Sequence, residues 1–210
     1  MEPTGVKALI LAAGTSNRMG TPKQLLRLGD KPLLQHVIQN ILRFDFSEII
    51  AVIGHEAEKI KRSVQIEDKR FRWVINPEYA SGQSTSLRKG IESCGHSSIM
   101  VFLGDEPLIS EQTVQTIFRF GLEKHSVSTE PYVVRPSYQS TPGHPVFFGN
   151  AQKIDFSILD GDRGAKEIIR RLESRHILPV NDQGISMDVD TPENYENVKR
   201  IWMEPSTKKG

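Results

Sequence analysis

The sequence predicts an α/β fold built on a doubly wound, mostly parallel sheet, and three observations lead there. Short apolar runs rich in Val, Ile and Leu, bounded by turn residues, read as strands buried on both faces: Val6–Ala13, Glu48–Gly54, Phe71–Asn76 and Ile99–Gly104. Amphipathic segments of helical period lie between them, so strand and helix alternate along the chain. That repetition implies a parallel sheet with right-handed crossovers. Hydrophobic residues at 37% and charged residues at 25% are ordinary for a chain that buries a core.

Taken in order, the first strand, Val6–Ala13, runs into a glycine-containing loop that ends near Lys23. Leu34, Val37, Ile38, Ile41 and Leu42 then follow the i, i+3, i+4, i+7, i+8 pattern of a helix, with Pro32 where a first-turn proline is tolerated. Ser84–Ser93 and Ser110–Lys124 carry weaker helical patterns, the second with Ser110 as N-cap. After Lys124 the rhythm changes. Tyr132–Arg135 and Pro145–Phe148 read as strands joined by a polar loop, a small inserted β region over the sheet's edge. A helix over Asp162–Glu173, a strand near Ile177–Val180 and a helix opened by Thr191 and Pro192 complete the pattern. The expected organisation is a single domain over residues 1–203 and a disordered tail over 204–210.

The 27 basic and 26 acidic residues leave a net charge of +1, which supplies no field for gripping a nucleic-acid backbone. No apolar run approaches the ~18 residues that span a bilayer, and Met1–Lys7 does not read as a secretory signal. The lone Cys94 excludes an internal disulfide, and the expected setting is a reducing cytoplasm. His36, His55, His96, His125 and His176 have no metal-ligand spacing, so no zinc site is expected.

Chemistry concentrates after the first strand. In an open α/β sheet, ligands bind beyond the carboxyl ends of the strands. There Leu11-Ala12-Ala13-Gly14 leads into a loop holding Arg18 and Lys23. Small residues let backbone N–H groups approach an anion, and the two cations add charge; the plainer reading is a tight connection with two solvated cations. GxGxxG is absent because Ser16 holds the second glycine position, and GxxxxGK[ST] fails because Thr21-Pro22 separates Gly20 from Lys23. Both a dinucleotide dehydrogenase and a P-loop ATPase are therefore disfavoured. Asp105 follows the strand ending at Leu103, where its hard oxygens suit Mg²⁺ unless it only caps the turn before Pro107. Asp188 and Asp190 are two apart, so in extended backbone they share a side, although Asp190 could instead serve the next helix.

Leu11 through Leu26 resembles, position by position, the LAAGxSxRMGxPKxLL signature of the nucleotidyltransferase family. Further segments agree in order: Asn76-Pro77 with Gly82 and Ser86-Leu87, Leu103-Gly104-Asp105-Glu106-Pro107 with Glu where LGDQP has Gln, Gly143-His144-Pro145, Gly161 through Ala165, and Asp188 through Glu193. The set looks most like the molybdenum-cofactor cytidylyltransferases, the MobA-like branch that includes xanthine dehydrogenase accessory proteins. One departure is Pro142, which stands where an Arg usually precedes the GHP element.

The resemblance implies a Rossmann-like, GT-A-like nucleotidyltransferase fold and transfer of CMP from CTP to a molybdopterin-type cofactor, with release of pyrophosphate and Mg²⁺ as cofactor. It implies Arg18, Lys23 and Asp105 as catalytic residues, and Asp105 with Asp190 as metal ligands, Asp188 supporting or substituting. The nucleotide is assigned to Leu11, Ala12, Ala13, Gly14, Arg18, Lys23, Gly82 and Ser86, with helix capping as the other reading of Ser84 and Ser86. His144 is assigned to the acceptor, against a structural turn histidine. Ala13 points to CTP, because guanylyltransferases of that pathway tend to read LAGG there. An apo-molybdoenzyme is the implied client, with no nucleic acid and no membrane as partner. Two alternatives stay open: another acceptor (a sugar or polyol phosphate) or GTP as donor, and a non-catalytic cofactor-binding protein.

Overall fold

The computed structural model describes residues 5–16, 18–95, 98–159, 161 and 165–204. Four strands form a parallel half-sheet: β1 (Lys7–Ala12), β4 (Glu48–Ile53), β5 (Phe71–Ile75) and β6 (Ile99–Leu103). Two-residue strands β2 (Arg27–Leu28) and β3 (Lys31–Pro32) make a separate hairpin. The second half adds β7 (Tyr132–Tyr138), β8 (Thr141–Pro142), β9 (Val146–Gly149) and β10 (Ser174–Pro179). The main sheet runs β10-β7-β9-β6-β1-β4-β5, with β8 paired to β7. The sheet is mostly parallel, as expected.

Two features differ from the sequence reading. The second-half strands do not lie over the sheet's edge; they extend it in plane, because β9 runs antiparallel between β6 and β7 and supplies the ladder that joins the halves. The helix expected over 162–173 is described over Lys166–Arg171 as α5, and residues 162–164 lie outside the described residues, as do 205–210 of the expected tail.

Helices cover both faces. α1 (Leu33–Ile41), α2 (Ala57–Ser63), α3 (Gln83–Cys94), α4 (Glu111–His125) and α6 (Pro192–Met203) complete the set with α5. Alternation along β1 sorts the core into two layers. Ala8, Ile10 and Ala12 face one layer with Ile38, Val114 and Val198; Leu9 and Ala13 face the other with Leu87 and Ile168. Burying a side chain such as Leu9 fully stabilises the fold by about 1.5–3 kcal/mol relative to exposure.

Helix starts follow the expected chemistry at two places. Ser110 Oγ accepts from the Thr113 N–H of α4, and Thr191 Oγ1 accepts from the Asn194 N–H of α6, with Pro192 in the first turn. α3 departs from it. Its N-cap is Gly82, at φ 108°, which has no side chain to offer, so neither Ser84 nor Ser86 is the N-cap residue. Both serines lie inside the helix and are buried.

Asp182 ties the C-terminal segment to α4. Its Oδ2 accepts from the Ser110 N–H, the Ser110 hydroxyl and the Thr113 hydroxyl, and its Oδ1 accepts from the Gly184 N–H. Asp182→Ala is expected to cost about 2 kcal/mol, since four donors lose one acceptor group. A drop of roughly 4–8 °C in Tm should report it; an unchanged Tm would show that water replaces the carboxylate at no cost.

Candidate active site

β1 sits where the crossovers change direction, with β4 on one side and β6 on the other. Their carboxyl ends therefore flank a crevice. A cavity of about 520 Å³ fills it, lined by Leu11–Thr15, Lys23, Gln24, Tyr79, Gly82, Gln83, Ser86 and Asp105 among others. Seven of the eight residues assigned to the nucleotide from sequence, Lys23 among them, come together here; Arg18 is outside this wall, and its side chain is 71% exposed.

Each wall has a local cause. Ser16, at φ 55°, turns the loop after β1, and its hydroxyl accepts from the Lys23 N–H at 3.0 Å while its carbonyl accepts from the Met19 N–H. Gln24 is buried, and its Nε2 donates to the carbonyls of Ala12 and Gly14 at 2.8 and 3.3 Å. Asn76 braces the opposite wall: its Nδ2 donates to the hydroxyls of Thr85 and Ser86 at 2.9 and 3.0 Å. The Ser86 oxygen thus accepts within the protein, which leaves its proton for a ligand acceptor.

At one end of the cavity stands a charged cluster. Asp105, Asp188 and Asp190 each offer an oxygen within 4.8 Å of the others. Residues 187–190 form no strand, and Val189 is fully buried between the two aspartates, its N–H donating to the Asp105 carbonyl at 3.0 Å. Lys23 Nζ pairs with Asp105 and lies 2.6 Å from Asp190; Arg18 reaches the other Asp190 oxygen at 3.1 Å. Burial works to lower the Lys23 pKa, but the Asp105 and Asp190 carboxylates outweigh it and hold the ammonium above its ordinary range. The same pairing outweighs burial at Asp190 and holds its carboxyl below the usual range. Asp188 moves the other way: burial, then the charges of Asp190 and Asp105, push it up. Three crowded carboxylates with only cations to offset them form a donor set of hard oxygens that fits a divalent cation such as Mg²⁺.

His144 is not in that cluster. Its Nδ1 stands 3.4 Å from Glu106 Oε1, in the turn before β9. Glu106 is buried and its pKa is raised by that burial, with His144 opposing. Arg135 of β7 donates to the Gly143 carbonyl at 3.2 Å, beside the Pro142 that stands in place of the usual arginine. Among the described residues, Glu106 Oε2 and Arg135 Nε have no hydrogen-bond partner. Gly143 permits this arrangement, because a Cβ there would lie 2.3 Å from the Ile185 carbonyl oxygen.

Cys94 takes no part: burial pushes its thiol up to about 12, so it is protonated and unreactive at neutral pH. Gln24, Tyr79 and Glu106 were not singled out as site residues from sequence. For Gln24 a signal existed, a polar residue directly before the apolar Leu25-Leu26.

With this geometry in view, residues 8–176 match the family described as the MobA-like NTP transferase domain. The chain belongs to the MobA-like NTP transferase family. Its enzymatic class is accordingly nucleotidyltransferase. Nicotine blue oxidoreductase of Paenarthrobacter nicotinovorans is 28% identical over 199 residues, covering 90% of this chain and 93% of that protein. The purine catabolism protein PucB of Bacillus subtilis is 27% identical over 202 residues, 91% of this chain and 95% of PucB. Against the bifunctional protein GlmU of Aquifex aeolicus, identity is 29% over 117 residues, so the match spans 55% of this chain and only 25% of GlmU. Among solved structures, the Mycobacterium tuberculosis rv0371c homolog from Mycobacterium sp. strain JC1 superposes with a TM-score of 0.76 at 26% identity, over 95% of this chain and 97% of that one. No helix among the described residues of this MobA-like chain is long and apolar enough to cross a membrane.

Proposed function

We propose that the protein transfers CMP from CTP to a molybdopterin-type cofactor, with Mg²⁺ as its metal, in support of an apo-molybdoenzyme of the xanthine dehydrogenase type. The observation that carries this reading is one cavity whose lining joins a base wall at Ala12–Gly14, Gly82 and Ser86 to Lys23 and Asp105, with Asp188, Asp190 and Arg18 clustered against those two charges. Near full-length similarity to a purine catabolism protein supports the acceptor, together with the motif resemblance.

The reaction joins two anions. An oxygen of the acceptor phosphate attacks the α-phosphorus of CTP, the bond to the β-phosphate bridging oxygen breaks, and pyrophosphate leaves. Lys23 and Arg18 would bind the triphosphate and oppose the charge that accumulates in line, a task of positioning and electrostatics. Lys23 does so as a point charge and Arg18 through its planar fork. Asp105, Asp188 and Asp190 would hold the divalent cation, which when bound neutralises phosphate charge. Ser86 would donate its hydroxyl proton to an acceptor on the base. His144, oriented by Glu106, would face the acceptor side.

Purified protein incubated with Mg²⁺, molybdopterin and equimolar CTP and GTP is expected to release pyrophosphate and to give mainly the cytidylylated product by mass. Shape alone discriminates by ~1–3 kcal/mol, so a preference beyond about tenfold requires hydrogen bonding to the base edge. A mainly guanylylated product would sink the cytidylyl assignment and leave the family membership standing.

A further inference from the structure

Gln24 is only 2% exposed, and its amide orientation is forced. Two carbonyls lie within reach of one end, and only the NH₂ end can serve both. The cost falls on the other end. Among the described residues Gln24 Oε1 has no partner, and it is buried. A buried acceptor left unmet is unfavourable, and a methionine would fill much the same space without incurring it. What Gln24 alone supplies is the pair of donors.

Those donors complete a pattern along the base-facing loop. Leu11 O accepts from the Gly104 N–H at 2.9 Å, Ala12 O and Gly14 O accept from Gln24, and Ala13 O accepts from the His55 N–H at 3.5 Å. All four successive carbonyls are thus engaged. The N–H groups of Ala13 and Gly14 donate to no described residue. Along this stretch of the wall the carbonyls are taken, and the Ala13 and Gly14 N–H groups are the donors it can present to a base. Cytosine suits such an edge, since its O2 and N3 are both acceptors and only its 4-amino group donates. Guanine brings two donor groups, N1–H and the 2-amino group, which would be left unpaired there. Unpaired polar groups facing the wrong ligand discriminate far more strongly than shape does.

We infer that Gln24 is a specificity-determining positioning residue, which selects a pyrimidine with an acceptor-rich edge by occupying the loop's backbone acceptors. This rests on the cytidylyl reading above. The residue touches no reacting atom; it acts through the carbonyls it holds.

The test needs no acceptor molecule. Dissociation constants for CTP and for GTP, each with Mg²⁺, are measured by calorimetry on the wild type, on Gln24→Met and on Gln24→Glu, with Tm recorded for all three. The wild type should bind CTP at least about tenfold more tightly than GTP. Both variants should shrink that ratio about tenfold, through stronger GTP and weaker CTP binding, because freed carbonyls accept guanine's donors. A general loosening of the pocket would weaken both nucleotides together and leave the ratio in place. If Gln24→Met does not fold, Gln24→Glu, nearly the same in shape, decides. A folded variant with the wild-type ratio overturns the role of Gln24 while the cytidylyl reading survives. A wild type that prefers GTP overturns both.

Discussion

Asp105→Asn is expected to lower turnover by about 10³-fold, on the order of 4 kcal/mol of transition-state stabilisation, while leaving the fold in place. The amide has nearly the shape of the carboxylate and can still accept from Lys23 Nζ, and the backbone contact from Val189 does not involve the side chain. What disappears is one negative oxygen from a set of three that converge within 4.8 Å. Pyrophosphate release measured beside Tm separates the two effects, and excess EDTA on the wild type should reproduce the loss. A folded Asp105→Asn enzyme with wild-type turnover would exclude Asp105 as a metal ligand.

Lys23→Ala is expected to lower kcat by about 10²–10³-fold and to raise KM for CTP by less than about tenfold, the pattern of a charge used mainly in the transition state. Two carboxylates hold the ammonium charged despite its burial, so it stands in the site as a cation. Steady-state kinetics against CTP checks the split. A rise in KM alone would mark Lys23 as a ground-state binding residue.

Much of this was legible in residue order alone. The apolar runs of β1, β4 and β6 and the spacing of Leu34, Val37, Ile38 and Ile41 reflect burial periods that need no partner to be read. Lys23, Arg18 and Asp105 were visible because a strand end dictates where they emerge. α2 was not, since Ile60 alone is buried in Ala57–Ser63 and leaves no stripe. The antiparallel seat of β9 depends on pairing across dozens of residues, which local period does not encode. The same distance hid Glu106 beside His144, and the burial of Gln24 was hidden by its place next to Lys23 at the edge of a polar loop.

The hydrogen bond from Val189 to the Asp105 carbonyl has a consequence for assembly. Asp105 belongs to the end of β6, whereas Asp188 and Asp190 belong to the segment that enters α6. The carboxylate trio thus exists only once that late segment has docked against the sheet. During folding, the base wall between β1 and α3 closes from contacts within the first half of the chain, and the pole that would hold a cation closes from both halves. A chain with the C-terminal segment undocked keeps the base pocket and lacks the carboxylate trio, so a divalent ion bound by that trio would favour the finished molecule over every form in which the segment is loose.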